Sequence, residues 1–170
     1  LGADLQISNS TITRNTAEDD GGGLYVSEAS TIVVETSEVA NTDAIDGGGG
    51  VYVSVNSQAT LTDVWVTQNT ARVGGGLRSR NSDVVIQSTP VPSGTNVAGR
   101  FTFNSAVVRP QPVDGGDPAN AYGGGIAQAG GSLRLTNTRV ARNESEGAGG
   151  GLAIEGSATT HLQDSTEVSR

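Results

Sequence analysis

The sequence predicts an all-β solenoid, and three observations support that prediction. Glycine clusters recur at a nearly constant interval along the 170 residues, apolar and polar residues alternate between the clusters, and no segment has the period of an amphipathic helix. Alternation is typical of strands that bury one face. A repeat this short cannot bury its apolar side chains alone, so stacked copies must form the core.

The glycine clusters set the length of the repeat. Each contains Gly-Gly-Gly followed by Leu, Val or Ile, and the third glycines are Gly23, Gly50, Gly76, Gly125 and Gly151. The steps between them are 27, 26, 49 and 26 residues, so the long step holds one repeat plus an insertion. We expect these glycines at a corner of each coil, where they allow positive φ and close packing between coils.

A second mark, apolar-x-x-Asn, precedes the glycine clusters. It ends at Asn15, Asn69, Asn104 and Asn143, and the second coil has only a variant with Asn41 one residue early. Asparagine tolerates left-handed backbone geometry and hydrogen-bonds to nearby backbone. We therefore expect a structural row of asparagines at one corner. The alternative is a polar recognition row.

Three short strands per coil are predicted: one after the glycines, one at an aliphatic pair, and one ending at the asparagine. Stacking would place each strand on its copy one coil away, at about 4.8 Å. The expected core ladders are Leu24, Val51, Leu77, Ile126 and Leu152, and beside them Ile7, Val34, Leu61, Ile86, Leu135 and Leu162. The predicted fold is a right-handed parallel β-helix of about six coils of roughly 26 residues.

The two marks together resemble the polymorphic outer membrane protein repeat, which pairs F-x-x-N with G-G-A-aliphatic. Phe101-Thr102-Phe103-Asn104 matches the first element literally, and Gly-Gly-Gly-aliphatic matches the second except for glycine in place of alanine. The resemblance covers nearly the whole chain. It implies a secreted or surface-displayed bacterial β-helix, often an adhesin, in which the motif residues are structural and no catalytic residues are shared.

Composition excludes several classes of protein. The chain has no cysteine, which excludes a disulfide framework and thiol catalysis. Its net charge of −8 argues against a nucleic-acid partner, because such proteins present a basic surface. No apolar run approaches the roughly 20 residues that span a bilayer as a helix.

An enzyme of this fold is the alternative prediction. Asn41-Thr42-Asp43 resembles the N-T-D of polygalacturonases, but the D-D, G-H-G and R-I-K motifs of that family do not follow it. The single histidine, His161, lacks glycine on both sides, and the chain has no lysine. We therefore predict no catalytic residues. A carbohydrate-active β-helix (a polysaccharide lyase or glycosidase) or a carbohydrate-binding module remains the alternative.

Acidic residues gather before the glycine clusters. Asp19 and Asp20 precede the first cluster, and Asp43 and Asp46 precede the second. Stacked carboxylates at several heights offer the oxygen ligands that Ca²⁺ prefers. The sequence thus gives one candidate Ca²⁺ site, with a solvated acidic edge as the alternative. No other cofactor is expected.

Outward positions after the glycines carry Tyr25, Tyr52, Arg78 and, two residues further on, Arg80. Their rings and guanidinium groups would stack from coil to coil. Such a strip can bind sugar rings, or it is an exposed ladder that stabilises adjacent coils. Trp65 also points outward in another strand, in a row with Thr11, Glu38 and Arg139.

Two insertions interrupt one coil. They lie near residues 88–99 and 107–120, and all five prolines fall between 90 and 118. Repeat proteins place insertions on one face, often the binding face. Tolerated drift is the alternative.

These observations favour a non-catalytic segment, residues 1–170, of a cell-surface or secreted bacterial β-helix that serves as a stalk, an adhesin or a filament building block. We expect an extracellular or outer-membrane-associated location. No atypical capping segment is evident at either end, so the expected partners are further β-helix coils or copies of the chain stacked end to end. Surface glycans and host or cell-surface proteins are further candidate partners.

Overall fold

The computed structural model describes residues 2–90, 99–109 and 120–170. These residues form twenty strands and no helix. In chain order the strands are β1 (Asp4–Ser8), β2 (Thr11–Thr13), β3 (Thr16–Ala17), β4 (Leu24–Val26), β5 (Thr31–Glu35), β6 (Glu38–Ala40), β7 (Asp43–Ala44), β8 (Val51–Ser54), β9 (Gln58–Thr62), β10 (Trp65–Thr67), β11 (Thr70–Ala71), β12 (Leu77–Gln87), β13 (Arg100–Thr102), β14 (Ser105–Ala106), β15 (Ile126–Thr136), β16 (Arg139–Ala141), β17 (Glu144–Ser145), β18 (Leu152–Glu155), β19 (Thr159–Gln163) and β20 (Glu167–Ser169).

Three parallel sheets run the length of the described stack. The nine-stranded sheet combines the strands after the glycines with those of the aliphatic pair, and in β12 and β15 the two segments join into one strand of 11 residues. The six-stranded sheet holds β2, β6, β10, β13, β16 and β20. The five-stranded sheet consists of two-residue strands directly after the asparagine position, which the sequence analysis did not predict.

The strand register confirms the predicted ladders. Leu77 lies between Val51 and Ile126, and Ile86 lies between Leu61 and Leu135. The six strands of the six-stranded sheet mark six coils, each rising by one strand spacing. The predicted parallel β-helix is therefore confirmed.

The core is one coil wide and is deepest in the middle of the stack. Its largest fully buried side chain is Phe101, which lies between Val66 and Val140 in the six-stranded sheet. In the outer coils the side chains at the matching positions are less buried, and Leu5, Leu162 and Val168 are about half exposed. A solenoid with this narrow core folds with few aromatic residues, because each side chain is enclosed by copies above and below.

Both insertions leave the stack at corners. The first follows β12, where the nine-stranded sheet gives way to the six-stranded one, and the second follows β14 in the five-stranded sheet. The predicted insertion residues 91–98 and 110–119 lie outside the described residues. At the neck of the first insertion, the Gly99 amide donates to Ser88 Oγ at 2.8 Å. The core register is unbroken on both sides of each insertion.

The described part of the chain contains no helix that could span a membrane.

Candidate functional site

A ladder of buried asparagines runs along the inside of the corner that follows the six-stranded sheet. The Asn69 side-chain amide donates to Asn104 Oδ1 at 3.1 Å, and the Asn104 amide donates to Asn143 Oδ1 at 3.0 Å. Each Oδ1 also accepts from the backbone amide of the asparagine one coil earlier. Each Nδ2 also donates to a strand carbonyl of the preceding coil, such as that of Val66. The three side chains are therefore engaged in hydrogen bonds within the fold.

The first two coils end this ladder. Thr42 occupies the asparagine position in the second coil, and its hydroxyl donates to Asn69 Oδ1 at 2.8 Å. Asn15, at the same position in the first coil, is exposed, and its side chain forms no hydrogen bond to another described residue. Four asparagines were expected to stack, and the structure brings only Asn69, Asn104 and Asn143 together.

The asparagines were expected to adopt the left-handed backbone conformation, but that conformation occurs one residue earlier in the chain. The left-handed conformation falls on the residue before the ladder position: Arg14, Asn41, Gln68, Phe103 and Arg142 all have φ between 55° and 58°. The ladder asparagine itself must point inward to stack, so the turn is made one step earlier. Asn41, which looks one residue early in the sequence, thus occupies the turn position.

The expected role of the third glycines also needs correction. Positive φ falls on the glycine two residues before the third glycine, such as Gly48 with φ of 63°, and not on Gly23, Gly50, Gly76, Gly125 or Gly151. The third glycine is needed for space. A Cβ at Gly50 would lie 2.5 Å from the Gly76 carbonyl oxygen and 2.9 Å from Asn69 Nδ2. The glycine corner and the asparagine ladder therefore depend on each other.

The aromatic and arginine row on the outside of the next strands is in register as expected. Tyr25 and Tyr52 stack with ring centroids 5.3 Å apart and an angle of 10° between the planes. The Arg78 guanidinium lies 6.0 Å from the Tyr52 ring centroid. Arg80 is exposed at the end of the row, paired in register with Ser54.

The expectation that this whole row is exposed is wrong. Tyr25 is 60% exposed, but Tyr52 and Arg78 are only 4% and 6% exposed. The chain before each glycine cluster covers the row, because it forms a fourth line of parallel contacts outside the named strands, including Gly47 with Val73 and Val73 with Tyr122. Asp20 and Asp46 are the acids that this segment brings over the row.

A buried charged cluster results. Asp46 accepts hydrogen bonds from Arg72 with one carboxylate oxygen and from Arg78 with the other, the latter at 2.7 Å, and all three side chains are buried. Burial alone would lower the pKa of Arg78, but the Asp46 carboxylate raises it above its ordinary value. Arg78 is therefore held in its charged form, and both arginines are fixed in place by Asp46.

Asp20 lies at the rim of this cluster. Its Oδ1 is buried without a hydrogen bond and lies 3.8 Å from Arg78 Nη1. Burial raises the pKa of the Asp20 carboxyl from 3.8 to about 6, against the opposing effect of Arg78. Burial likewise raises the pKa of the Tyr52 and Tyr122 hydroxyls.

Gly47 makes room for the cluster. A Cβ at this position would overlap the Arg78 side chain and lie 2.8 Å from Asp20 Oδ1. The second glycine cluster has four glycines where the others have three, and Gly47 is the additional one.

Three of the four candidate Ca²⁺ ligands meet in space. Asp19, Asp20 and Asp46 each offer a carboxylate oxygen within 4.8 Å of the others. Asp43 does not join them, because it lies in β7 and pairs with Arg109 on the five-stranded sheet. An ion here would have to share Asp46 with two guanidinium groups, so the donor set is less favourable than the acids alone indicate.

Trp65 lies on a different sheet from the other predicted ligand-binding residues. It begins β10, is 43% exposed, and its indole is stacked against the Arg100 guanidinium at 4.1 Å from the ring centroid. It forms one wall of a groove of about 580 Å³ along the corner between the nine-stranded and six-stranded sheets. We call this the Trp65 groove; its lining includes Asn9, Thr11, Thr36, Glu38 and Asp63.

Comparison with known protein families identifies the fold family. Residues 2–98, more than half of the chain, match a family model described as right handed beta helix region. The chain belongs to that family. No curated protein and no solved structure matches it. The family match does not separate the polymorphic outer membrane protein type from other β-helices.

The sequence analysis of this β-helix missed Arg72, Arg100 and Tyr122. A signal for Arg72 was present: one repeat of 26 residues separates it from Asp46, so opposite charges occupy equivalent positions in adjacent coils. Arg100 was hidden because the first insertion shifts its spacing from Trp65 to 35 residues. Tyr122 follows the second insertion and was hidden in the same way.

The chemistry available at the charged cluster is limited. General base catalysis needs a group within reach of substrate that can give up or take a proton. Arg72 and Arg78 are buried and bonded to Asp46, while Asp20, which has the raised pKa, is surrounded by Arg78, Tyr52 and neighbouring acids. We interpret the charged cluster as a structural contact that packs one coil onto the next.

Proposed function

We propose that this β-helix is a non-catalytic, rigid segment of a bacterial cell-surface or secreted protein, serving as a stalk, an adhesin or a filament building block. The observation that carries the proposal is the unbroken core register through all six coils, which both insertions leave undisturbed. A rod built in this way holds its corner loops at fixed positions along a stiff axis.

The polymorphic outer membrane protein type is the proposed subfamily. Its F-x-x-N element contributes the ladder asparagine, and its glycine element contributes the residue that packs against that asparagine. Both elements thus do the same structural work in this chain that the resemblance implies. An extracellular or outer-membrane-associated location follows from this type, and labelling of intact cells of the source bacterium with an antibody to the chain tests it.

The absence of catalysis is supported by the state of the arginines. A lyase acting on a uronate needs a basic group that can approach the substrate, and Arg72 and Arg78 are both bonded to Asp46. His161 lies on the outer face of the nine-stranded sheet, beside Arg134. The alternative, a polysaccharide lyase or glycosidase, requires converging acids and bases that a substrate can reach, whereas Asp46, Arg72 and Arg78 of the charged cluster are buried.

A product assay on uronate and neutral polysaccharides tests this part. We expect neither reducing ends nor unsaturated products above a buffer blank. Product formation that is lost in both Arg78→Ala and Asp46→Ala, with Asp43→Ala as the active control, would contradict the proposal.

The proposed partners of the rod are further β-helix coils or copies of the chain stacked end to end. The support is the gradient of burial: ladder residues of the outer coils, such as Leu5 and Leu162, are half exposed, while Leu61 in the middle is fully buried. Exposed strand edges and apolar ladder ends favour pairing with another chain. Analytical ultracentrifugation tests it, since we expect self-association that rises with concentration; a stable monomer at high concentration would contradict it.

A further inference from the structure

We propose that the Trp65 groove binds a neutral glycan chain, with one pyranose ring stacked on the Trp65 indole and its hydroxyl groups donating to the Glu38 carboxylate. The inference names a ligand for the adhesin role and rests on that proposed function.

The indole is a rigid, exposed platform. Trp65 is 43% exposed, and Arg100 from the next coil stacks against it at 4.1 Å from the ring centroid. The described lining of the groove comes from the coil of Trp65 and the two preceding coils, so Arg100 and the groove lie on opposite faces of the indole. A side chain already held in place loses little conformational entropy when a ligand binds. The C–H face of a pyranose packs on the electron-rich face of an aromatic ring.

Glu38 lies beside the indole as the next member of the same row. Its backbone pairs in register with Trp65 on one side and Thr11 on the other. Its carboxylate forms no hydrogen bond or ion pair with another described residue. The Asp63 carboxylate, by contrast, accepts from the Thr89 amide and hydroxyl, both at 2.7 Å, and is fixed. Glu38 is thus the strong acceptor available to a hydroxyl-rich ligand.

The remaining lining is suited to sugar hydroxyls. Asn9, Thr11 and Thr36 are exposed and carry one amide and two hydroxyls. These residues and Trp65 are distributed over three successive coils, which span about 10 Å at ~4.8 Å per coil. A groove of this length fits a chain of linked rings better than a single small ligand.

The charges in the groove favour a neutral ligand. Glu38 and Asp63 would repel the carboxylates of a uronate or sialylated chain, and Arg100 is separated from the groove by the indole. A quaternary ammonium ion is disfavoured, because Arg100 already occupies the opposite face of the single aromatic ring that lines the described groove.

The experiment uses the fact that Trp65 is the only tryptophan of the chain. Its fluorescence is titrated with cellotetraose, xylotetraose, mannotetraose, tetragalacturonate and tetramethylammonium chloride, each up to about 10 mM. We expect a saturable change with at least one neutral tetrasaccharide, at a Kd of about 1 mM or tighter. Tetragalacturonate and tetramethylammonium are expected to give no saturable change.

Variants assign the binding to the groove by calorimetry. Trp65→Ala is expected to weaken binding of the responding sugar at least about tenfold. Phe103→Ala removes an exposed aromatic that stacks with Arg142 outside the Trp65 groove, and it is the matched control expected to stay within about twofold. Glu38→Arg removes the carboxylate acceptor and fills the groove while Trp65 stays in the chain, so it is expected to weaken binding at least about tenfold even if Trp65→Ala fails to fold.

Three results would overturn the proposal: no response to any neutral tetrasaccharide, a response only to tetragalacturonate or tetramethylammonium, or sugar binding that survives Glu38→Arg. Because the rod role is tested by product assays and ultracentrifugation on the same chain, failure of glycan binding is distinguishable from failure of the proposed function.

Discussion

Two buried polar rows meet at the glycine corners of this β-helix, and they are built in opposite ways. The asparagine ladder is neutral and uses one residue per coil, each amide bonded to the next copy of itself. The charged cluster uses Asp46, Arg72 and Arg78, three residues that differ from coil to coil. In the ladder, the same hydrogen bonds recur from coil to coil, so each side chain is satisfied by its copy in the next coil. In the charged cluster no residue recurs, so each buried charge needs a specific partner.

The two rows also differ in what a single loss exposes. Removing one amide from the ladder leaves neutral hydrogen-bonding groups unsatisfied. Removing Asp46 leaves two buried guanidinium charges without a partner, and a buried uncompensated charge is far more costly. The comparison therefore predicts an order of effects.

The largest effect is expected for Asp46→Ala. The free energy of unfolding should fall by about 3–5 kcal/mol, because Arg72 and Arg78 lose their shared partner. Urea unfolding followed by circular dichroism measures it. Asp43→Ala is the matched control: its pair with Arg109 is partly exposed, so it should cost about 0–1 kcal/mol. Equal losses in the two variants would remove the distinction between the cluster and a surface ion pair.

A smaller loss is expected for Asn104→Ala. The substitution leaves Asn69, Asn143 and the Val66 carbonyl without their hydrogen bonds to this side chain, at a cost of about 2–4 kcal/mol. Asn15→Ala removes the same residue type from the end of the row and should change the unfolding free energy by less than about 0.5 kcal/mol. Similar losses in the two variants would mean that an asparagine inside the ladder stabilises the protein no more than an exposed asparagine at its end.

Asp20→Asn is expected to give a pH-dependent gain. The folded-state pKa of Asp20 is raised, so its contribution to stability is fully present below pH 3.8 and is lost as the pH rises through about 6. The variant should match the wild type near pH 4 and exceed it at pH 8 by about 1 kcal/mol, allowing for solvent screening. Asp19→Asn, at an exposed neighbour, is the control. A gain that is equal at both pH values would contradict the role of burial.

The smallest effect is expected for calcium. Because Arg72 and Arg78 already occupy both oxygens of Asp46, adding about 1 mM Ca²⁺ or a chelator should shift the thermal unfolding midpoint by less than about 2 °C. Saturable Ca²⁺ binding by calorimetry that Asp20→Asn abolishes would instead establish a metal site at Asp19, Asp20 and Asp46.

Much of the fold could be predicted from the sequence, because translation along a stack converts sequence period directly into contacts. The pairing of Leu77 with Val51 and Ile126 follows from counting residues, and so does the row of Tyr25, Tyr52 and Arg78. Counting failed where the period is interrupted, at Arg100 and Tyr122 after the two insertions, and where a two-residue strand is too short to leave a pattern.

The sequence by itself determined the coil repeat, the inward ladders and the outward direction of Tyr52, Arg78 and Trp65. Only the tertiary structure decided which outward residues meet solvent. Direction is a local property, set by the alternation of side chains along a strand. Exposure depends on what another segment places above that strand: the acids before the glycine corner cover Tyr52 and Arg78, while Trp65 stays open beside Glu38.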